Sequence, residues 1–421
     1  MDQAAALRAL GATVYEFETE AVYLNAQSRL QHQIDEIREF AADAVIGAQH
    51  GGYAIQGGMI RAPDSSEEEP SKNLFLDVMG LPTVLYWDHV ITQAARYVIT
   101  SWPRSPEESE SGVTSTLKTL LTHPNAINFF PDSGHAAEIE KLGLYSCEHD
   151  PFFVTAVSQA FVQHGLEEHG SAVQCEALAF FGNIYLSASE QIPYCDQPAL
   201  MKIRETALSR CKADWNLPVY DAYLEALQVI STEGRAALKL DPDQSFYWRF
   251  LYDELSIAAN GEHRFATIAA CNRPITFYGG FADPASRTAI ASKDWQLRDA
   301  LPHDGSLAEA YRTTKLTIDV VNAPFINGFS PKLLECFSAG GFMLTTRKKD
   351  MSAAFGDLSD AIGYSNAAEL GAKIDYFLTH ESERRRVTRD MQEIIRRDHT
   401  AAALFARTLP EAIDRLRVRS R

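Results

Sequence analysis

The stretch Ile326-Asn327-Gly328-Phe329-Ser330-Pro331-Lys332-Leu333-Leu334-Glu335-Cys336-Phe337-Ser338-Ala339-Gly340-Gly341-Phe342-Met343-Leu344-Thr345-Thr346 decides the reading of this chain. Asn327-Gly328-Phe329 reads as a glycine loop. Ser330 is a good helix N-cap and Pro331 suits the first helical position. Lys332 and Glu335 lie three apart, one turn apart on one face of the expected helix. Gly340-Gly341 ends that helix, and Phe342-Met343-Leu344 continues as a buried strand. A loop, a helix N-terminus and a lysine in the first turn together suit an anion. A glutamate one turn further in can accept hydrogen bonds from a diol such as a ribose. Phosphate beside diol is the pattern of a nucleotide, and Asn327, Gly328, Phe329, Ser330, Lys332 and Glu335 are the candidate donor-binding residues. For Glu335 and Lys332 the bland alternatives are an exposed helical glutamate and a surface lysine.

Working outward, the segment from Leu307 to about Leu409 resembles the C-terminal half of GT-B glycosyltransferases, in particular those similar to the spore-maturation protein CgeB. The resemblance is carried by Tyr311, Lys315, the strand Leu316–Val321, Asn322, Gly328-Phe329, Lys332, Glu335 and Gly340-Gly341-Phe342. Downstream, Tyr364-Ser365, Glu369-Leu370, Tyr376-Phe377-Leu378, Glu383-Arg384 and Arg397-Asp398-His399-Thr400 continue it. The departures are specific: Lys332 replaces the usual arginine, Asp319 stands where asparagine is common, and Ser338-Ala339 replaces Ala-Cys. Asn327 occupies the place of the first glutamate of the Glu-x7-Glu pair found in retaining GT-B enzymes, whereas Glu335 keeps the second. The resemblance implies two Rossmann-like, doubly wound domains facing a cleft and a nucleotide-sugar donor, UDP-type favoured, with no other cofactor. It implies a glycosyltransferase acting on a saccharide, lipid or protein acceptor without a metal, and retention of anomeric configuration is favoured. Ser365, with Asn366 and Glu369, falls where the nucleobase is bordered.

Composition agrees with a soluble globular chain of more than one domain: 421 residues, 46% hydrophobic and 23% charged. A net charge of -17 argues against nucleic acid as partner and against docking to anionic lipid by bulk charge. A local basic patch could still make peripheral membrane contact. No apolar run reaches the roughly 20 residues that span a bilayer, and Met1-Asp2-Gln3-Ala4 opens no signal peptide. The six cysteines lack C-x-x-C spacing and read as free thiols of a cytoplasmic protein.

Alternating apolar strands and helical stretches predict parallel α/β architecture. Strands are expected at 11–17, 44–47, 82–86 and 126–130, with helices at 22–41 and 134–142. The chain reads as starting within its first helix, so the first strand of the N-domain is expected to be lost, to lie upstream of Met1, or to be dispensed with. Acidic stretches at 63–70 and 103–112 read as solvated insertions. The expected division is an N-terminal acceptor-side domain over 1–172 and a nucleotide-sugar domain over 173–401, with a helical insertion at about 197–270. A final helix over 402–421 is expected to return to the N-domain. In the second half, strands are expected at 178–181, 275–278, 316–321, 342–345 and 361–364. Gly279-Gly280 follows one of them, where a donor phosphate or sugar would approach.

The candidate general bases are Asp88 and His89, after the strand 83–86, and His50, beside Gly51-Gly52 after another strand, at the carboxyl ends where α/β proteins bind ligands. The bland reading of Asp88 is a loop aspartate bonding its own backbone. His135, after Pro131-Asp132-Ser133-Gly134, reads as a capping or packing residue. Asp241-Pro242-Asp243 is placed in a helical linker, away from any metal role. The main alternative function is an inactive GT-B module that binds a nucleotide, sugar or protein. A GT-B epimerase or phosphorylase is the third.

Overall fold

A computed structural model describes residues 3–17, 27–47, 59–60, 72–87, 91–92, 95, 113–144, 156–166, 176–186, 197–238, 240–279, 284–303, 305–323 and 325–419. The acidic stretches 63–70 and 103–112 lie outside the described residues, as do Cys147, Cys175 and Cys195. The chain divides into two compact units. One comprises Met1–Val154, Lys239–Trp248 and Ala401–Arg421, and the other Thr155–Leu238 and Arg249–Thr400.

The first unit holds a parallel sheet of β1 (Val45–Gly47), β4 (Thr83–Tyr86) and β5 (Ala126–Phe129), in the order β1-β4-β5. A short antiparallel pair, β2 (Met59–Ile60) and β3 (Lys72–Asn73), stands apart from it. All four residues of β4 and of β5 are buried, which explains their continuous apolar pattern. The terminal helix Ala401–Arg419 packs on this sheet through Phe405, whose ring lies 5.4 Å from that of Tyr86. Thr408 donates its hydroxyl to Leu404 O, so the Tyr86 phenol donates to Thr408 Oγ1. Burial pushes the Tyr86 phenol well above its ordinary pKa. Trp87 is buried and donates its indole N–H to Asn128 Oδ1 at 2.9 Å.

Residues 12–17 form no strand ladder, contrary to the expected strand at 11–17. Gly11, at φ +87°, turns the chain out of the preceding helix. Tyr15 and Phe17 then pack on the cluster of Ile34, Ile37 and Phe75, which uses the apolar residues that suggested a strand. His135 meets its structural reading: Asp132 caps the helix Ser133–Lys141 by accepting from the backbone N–H of Gly134 and His135. Asp241-Pro242-Asp243 is a turn rather than a helix, with Asp241 Oδ1 accepting from the Asp243 N–H at 2.8 Å.

The second unit carries a six-stranded, all-parallel sheet. Its strands are β6 (Glu176–Phe181), β7 (Ile275–Tyr278), β8 (Trp295–Arg298), β9 (Thr314–Asp319), β10 (Met343–Thr346) and β11 (Gly363–Tyr364). Their order is β11-β10-β9-β6-β7-β8. The chain starts in the middle, steps outward through β7 to β8, and returns to build β9, β10 and β11 on the other side of β6. With right-handed crossovers, that reversal places helices on both faces. The helix Pro331–Ser338 packs against helices Gln159–Leu166 and Glu381–Asp398, whereas Ile257–Ala270 packs against Pro198–Ala213 and Ala367–Thr379. Tyr223 is fully buried in this unit. Cys211, Cys271 and Cys336 are buried free thiols. Among the described residues no helix is long and apolar enough to cross a membrane.

Two glycines give opposite stability predictions. A Cβ on Gly261, inside the helix Ile257–Ala270, would lie 1.8 Å from the carbonyl oxygen of Tyr185, whereas Gly371, inside Ala367–Thr379, faces open space. Gly371→Ala is expected to raise stability by about 0.5–1 kcal/mol. Gly261→Ala should lower it by at least about 2 kcal/mol, because rigid backbone must move. Urea midpoints of the two variants against the parent check the signs.

Candidate functional site

The strand reversal falls between β6 and β9, so the loops after these strands diverge and leave a crevice at their carboxyl ends. Four segments converge there. Gly182 follows β6, Val320 and Val321 follow β9, the helix Pro331–Ser338 begins nearby, and Arg264 reaches in from the helix Ile257–Ala270.

Ser330 caps the helix Pro331–Ser338, its Oγ accepting from the Lys332 N–H at 3.3 Å, with Pro331 in the first turn. The Lys332 side chain runs back to the end of β6, where Nζ donates to Phe181 O at 2.9 Å. The stem of Lys332 is partly exposed, but its ammonium is enclosed, and the Phe180 ring centroid lies 6.0 Å from Nζ. Gly182 admits this approach: a Cβ there would stand 2.7 Å from Nζ, and its φ of +149° is one that side chains resist. Gly279 serves the same closeness from β7, since its Cβ would stand 2.1 Å from Gly182 O. Gly279 is thus a packing glycine that brings two strand ends together.

Arg264 is buried at 6% exposure and binds two loops at once. Nε donates to Val320 O at 3.2 Å and a terminal nitrogen donates to Asn183 O at 2.8 Å, spanning the crevice from the β9 side to the β6 side. Its guanidinium carbon lies 5.9 Å from the same Phe180 ring that Lys332 approaches. Burial lowers the Lys332 pKa to about 8; the Arg264 charge adds to this, while Asp319 and Glu335 oppose it. Asp319 is 1% exposed at the end of β9; Oδ2 accepts from Thr345 Oγ1 at 2.8 Å, and Oδ1 has no hydrogen-bond partner among the described residues.

Glu335 is 7% exposed on the helix, one turn beyond Lys332. Its Oε1 lies 2.7 Å from Nε2 of His303, in the loop between β8 and the helix Gly305–Thr313. The hydrogen bond to Glu335 raises the His303 pKa.

The remaining expected residues divide clearly. Phe329 is a core residue, its ring 4.8 Å from Phe355 and 6.0 Å from His399. Gly328 is buried beside it, and the Asn327 carbonyl accepts from Asp350 N–H at 2.9 Å, which anchors the loop. Ser365 Oγ accepts from Arg347 Nε at 3.2 Å, in a network where Arg347 also binds Glu369. Asn366 caps the helix Ala367–Thr379 by accepting from the Glu369 N–H at 2.9 Å. Asn366 and Glu369 therefore have structural work at a helix start. His50, Asp88, His89 and Gly280 lie outside the described residues.

Sequence reading missed Arg264 and His303. Arg264 sits in a long helix without a motif, and His303 follows an unremarked Leu301-Pro302. Only the tertiary fold brings them to Lys332 and Glu335.

The family model described as glycosyl transferase-like matches residues 264–409. The matched segment runs from Arg264 through Lys332 and Glu335 into the middle of the terminal helix. A search of curated proteins gives no match. Among solved structures, an alpha,alpha-trehalose 6-phosphate synthase from Burkholderia multivorans is similar at 10% identity and TM-score 0.44, over 97% of this chain and 79% of that one. The DNA modifying enzyme beta-glucosyltransferase is similar at 9% identity and TM-score 0.38, over 79% of this chain and 81% of that one. An E. coli trehalose-6-phosphate structure bound with UDP-2-fluoro glucose is similar at 9% identity and TM-score 0.44, over 94% of this chain and 79% of that one.

Lys332 carries a stability prediction with a defined pH window. A drop from 10.5 to about 8 corresponds to a penalty of about 3 kcal/mol for the charged form. The lost bond to Phe181 O and local relaxation reduce the net gain from Lys332→Met to about 1–2 kcal/mol at pH 7. Between pH 8 and 10.5 the folded protein has released a proton that the unfolded chain still holds, so the parent gains stability as pH rises. The advantage of the Met variant should shrink across that window in parallel denaturant titrations.

Proposed function

We propose that this protein is a glycosyltransferase that binds a nucleoside diphosphate sugar in its second unit. The single observation that carries the reading is the placement of Lys332 and Arg264 at the strand reversal, with Glu335 one helical turn from Lys332. Two enclosed cations beside a helix N-terminus suit a diphosphate. The adjacent carboxylate suits the hydroxyls of a ribose. The glycosyl transferase-like match over residues 264–409 supports the same assignment.

In this reading Lys332 and Arg264 counter the negative charge that grows on the departing diphosphate, which lowers the barrier without a metal ion. UDP is the first donor base to test, with GDP and ADP beside it. The acceptor is a saccharide, lipid or protein held by the first unit, where Asp88, His89 and His50 are the residues proposed to move a proton. The kept Glu335 favours retention of configuration. The enzyme is proposed to work in the cytoplasm, to resemble the CgeB-like group within GT-B, and to need no cofactor beyond its donor.

The test is thermal stabilisation by nucleoside diphosphates and their sugars, followed by release of free sugar or glycosylated product. At one hundred times Kd a ligand of the folded state stabilises by about 2.7 kcal/mol. One nucleotide series should give such a shift, and Glu335→Ala and Lys332→Met should each abolish it. Binding without sugar transfer to any acceptor or water would instead identify a binding module. No shift with any nucleotide would sink the reading.

A further inference from the structure

Glu335 has one carboxylate oxygen engaged and one open. Nε2 of His303 lies 2.7 Å from Oε1, with the imidazole 59% exposed and the carboxylate only 10% exposed. The imidazole is itself held by the Phe161 ring, 5.1 Å away between centroids and tilted by 55°. Among the described residues no group donates to Oε2. An ionised carboxylate can only accept, so His303 donates Nε2–H.

Two physical facts make this contact more than a surface ion pair. The terminal torsion of a glutamate is broad, so the helix alone does not fix the plane of its carboxylate. Lys332, one turn earlier, carries an opposite charge that acts on Glu335. A carboxylate released from His303 is free to rotate toward that ammonium or into water. The imidazole is the group that holds it in one orientation.

We propose that His303 is a positioning residue: by donating Nε2–H to Oε1 it aims Oε2 at the ribose hydroxyls of a bound nucleoside diphosphate, which makes the site selective for ribo- over 2′-deoxyribonucleotides. A site built to accept a hydrogen bond from a hydroxyl disfavours the analogue that lacks it. The inference rests on the nucleotide reading of the site and adds its sugar selectivity and the residue that sets it.

The experiment measures Kd by calorimetry for UDP, GDP and ADP and their 2′-deoxy forms, with the parent, His303→Ala and His303→Gln. The parent should prefer the ribonucleotide by about tenfold, the effect of one well-placed hydrogen bond. His303→Ala should cut that ratio to about two- or threefold by weakening the ribonucleotide, with the deoxy affinity nearly unchanged. His303→Gln, whose amide N–H can still donate to Oε1, should recover most of the ratio. The deoxy affinity is an internal control for folding, and His303 is exposed enough for its variants to keep the core intact. A ratio unchanged in His303→Ala overturns the proposal, and so does a gain in ribonucleotide affinity, which would make the imidazole a competitor of the ribose. If the parent binds no nucleoside diphosphate at all, the functional reading fails and this inference with it. Binding without a change in ratio removes the inference alone.

Discussion

The candidate site depends on one bond, from the ammonium of Lys332 to the carbonyl of Phe181. It joins the helix that follows β9 to the end of β6, the two strands between which the sheet reverses direction. The helix itself is held by its Ser330 cap and its buried face, and the bond sets where the Lys332 charge sits against the strand end. The geometry has strict requirements around it. Residue 182 is held to glycine by its φ of +149°, which side chains resist, and residue 279 because a Cβ there would meet the Gly182 carbonyl. Close packing of backbone at a strand end is the condition for holding a charge there.

The charges themselves explain why such a place is costly and what relieves it. Arg264 and Lys332 are enclosed near one aromatic ring, and their like charges repel. Asp319 answers part of this from the end of β9, with one oxygen bonded to Thr345 and the other without a partner among the described residues. Glu335 answers another part but shares its charge with His303. Two cations thus face two carboxylates, and protonation of His303 tips the local balance to positive. In a chain of net charge -17, that concentration of positive charge is local. An arriving anion would lower the repulsion of the cations and replace the water each has lost.

How much of this was legible in the sequence follows from where the information is stored. Buried strands such as β6, β9 and β10 announce themselves because both faces are covered, and the Ser330-Pro331 start of the helix follows from capping chemistry alone. The edge strand β8 was not legible, since Gln296, Leu297 and Arg298 are exposed and leave no apolar run. The expected strand at 11–17 misled for a related reason. Its Tyr15 and Phe17 pack on the cluster of Ile34, Ile37 and Phe75, and an apolar run does not say what covers it. Lys332 and Glu335 were found because they share a helical face with a local motif around them. Arg264 and His303 were not, because each belongs to a different segment and gains its role only through contact with another.

The glycine-loop motif also divides its labour in a way the sequence could not show. Gly328, Phe329 and Ser330 are buried, with Phe329 against Phe355 and His399, so half of the motif is scaffold. Its purpose is to deliver two side chains, Lys332 toward the strand reversal and Glu335 toward His303. The partners of those two side chains come from the helix Ile257–Ala270, the end of β6 and the loop after β8. Scaffold and partners are therefore under separate control. A substitution at Phe329 would have to be absorbed by the core. A substitution at His303 falls on an exposed side chain that meets Glu335 and the Phe161 ring. Scaffold and the partners of Lys332 and Glu335 can thus change separately.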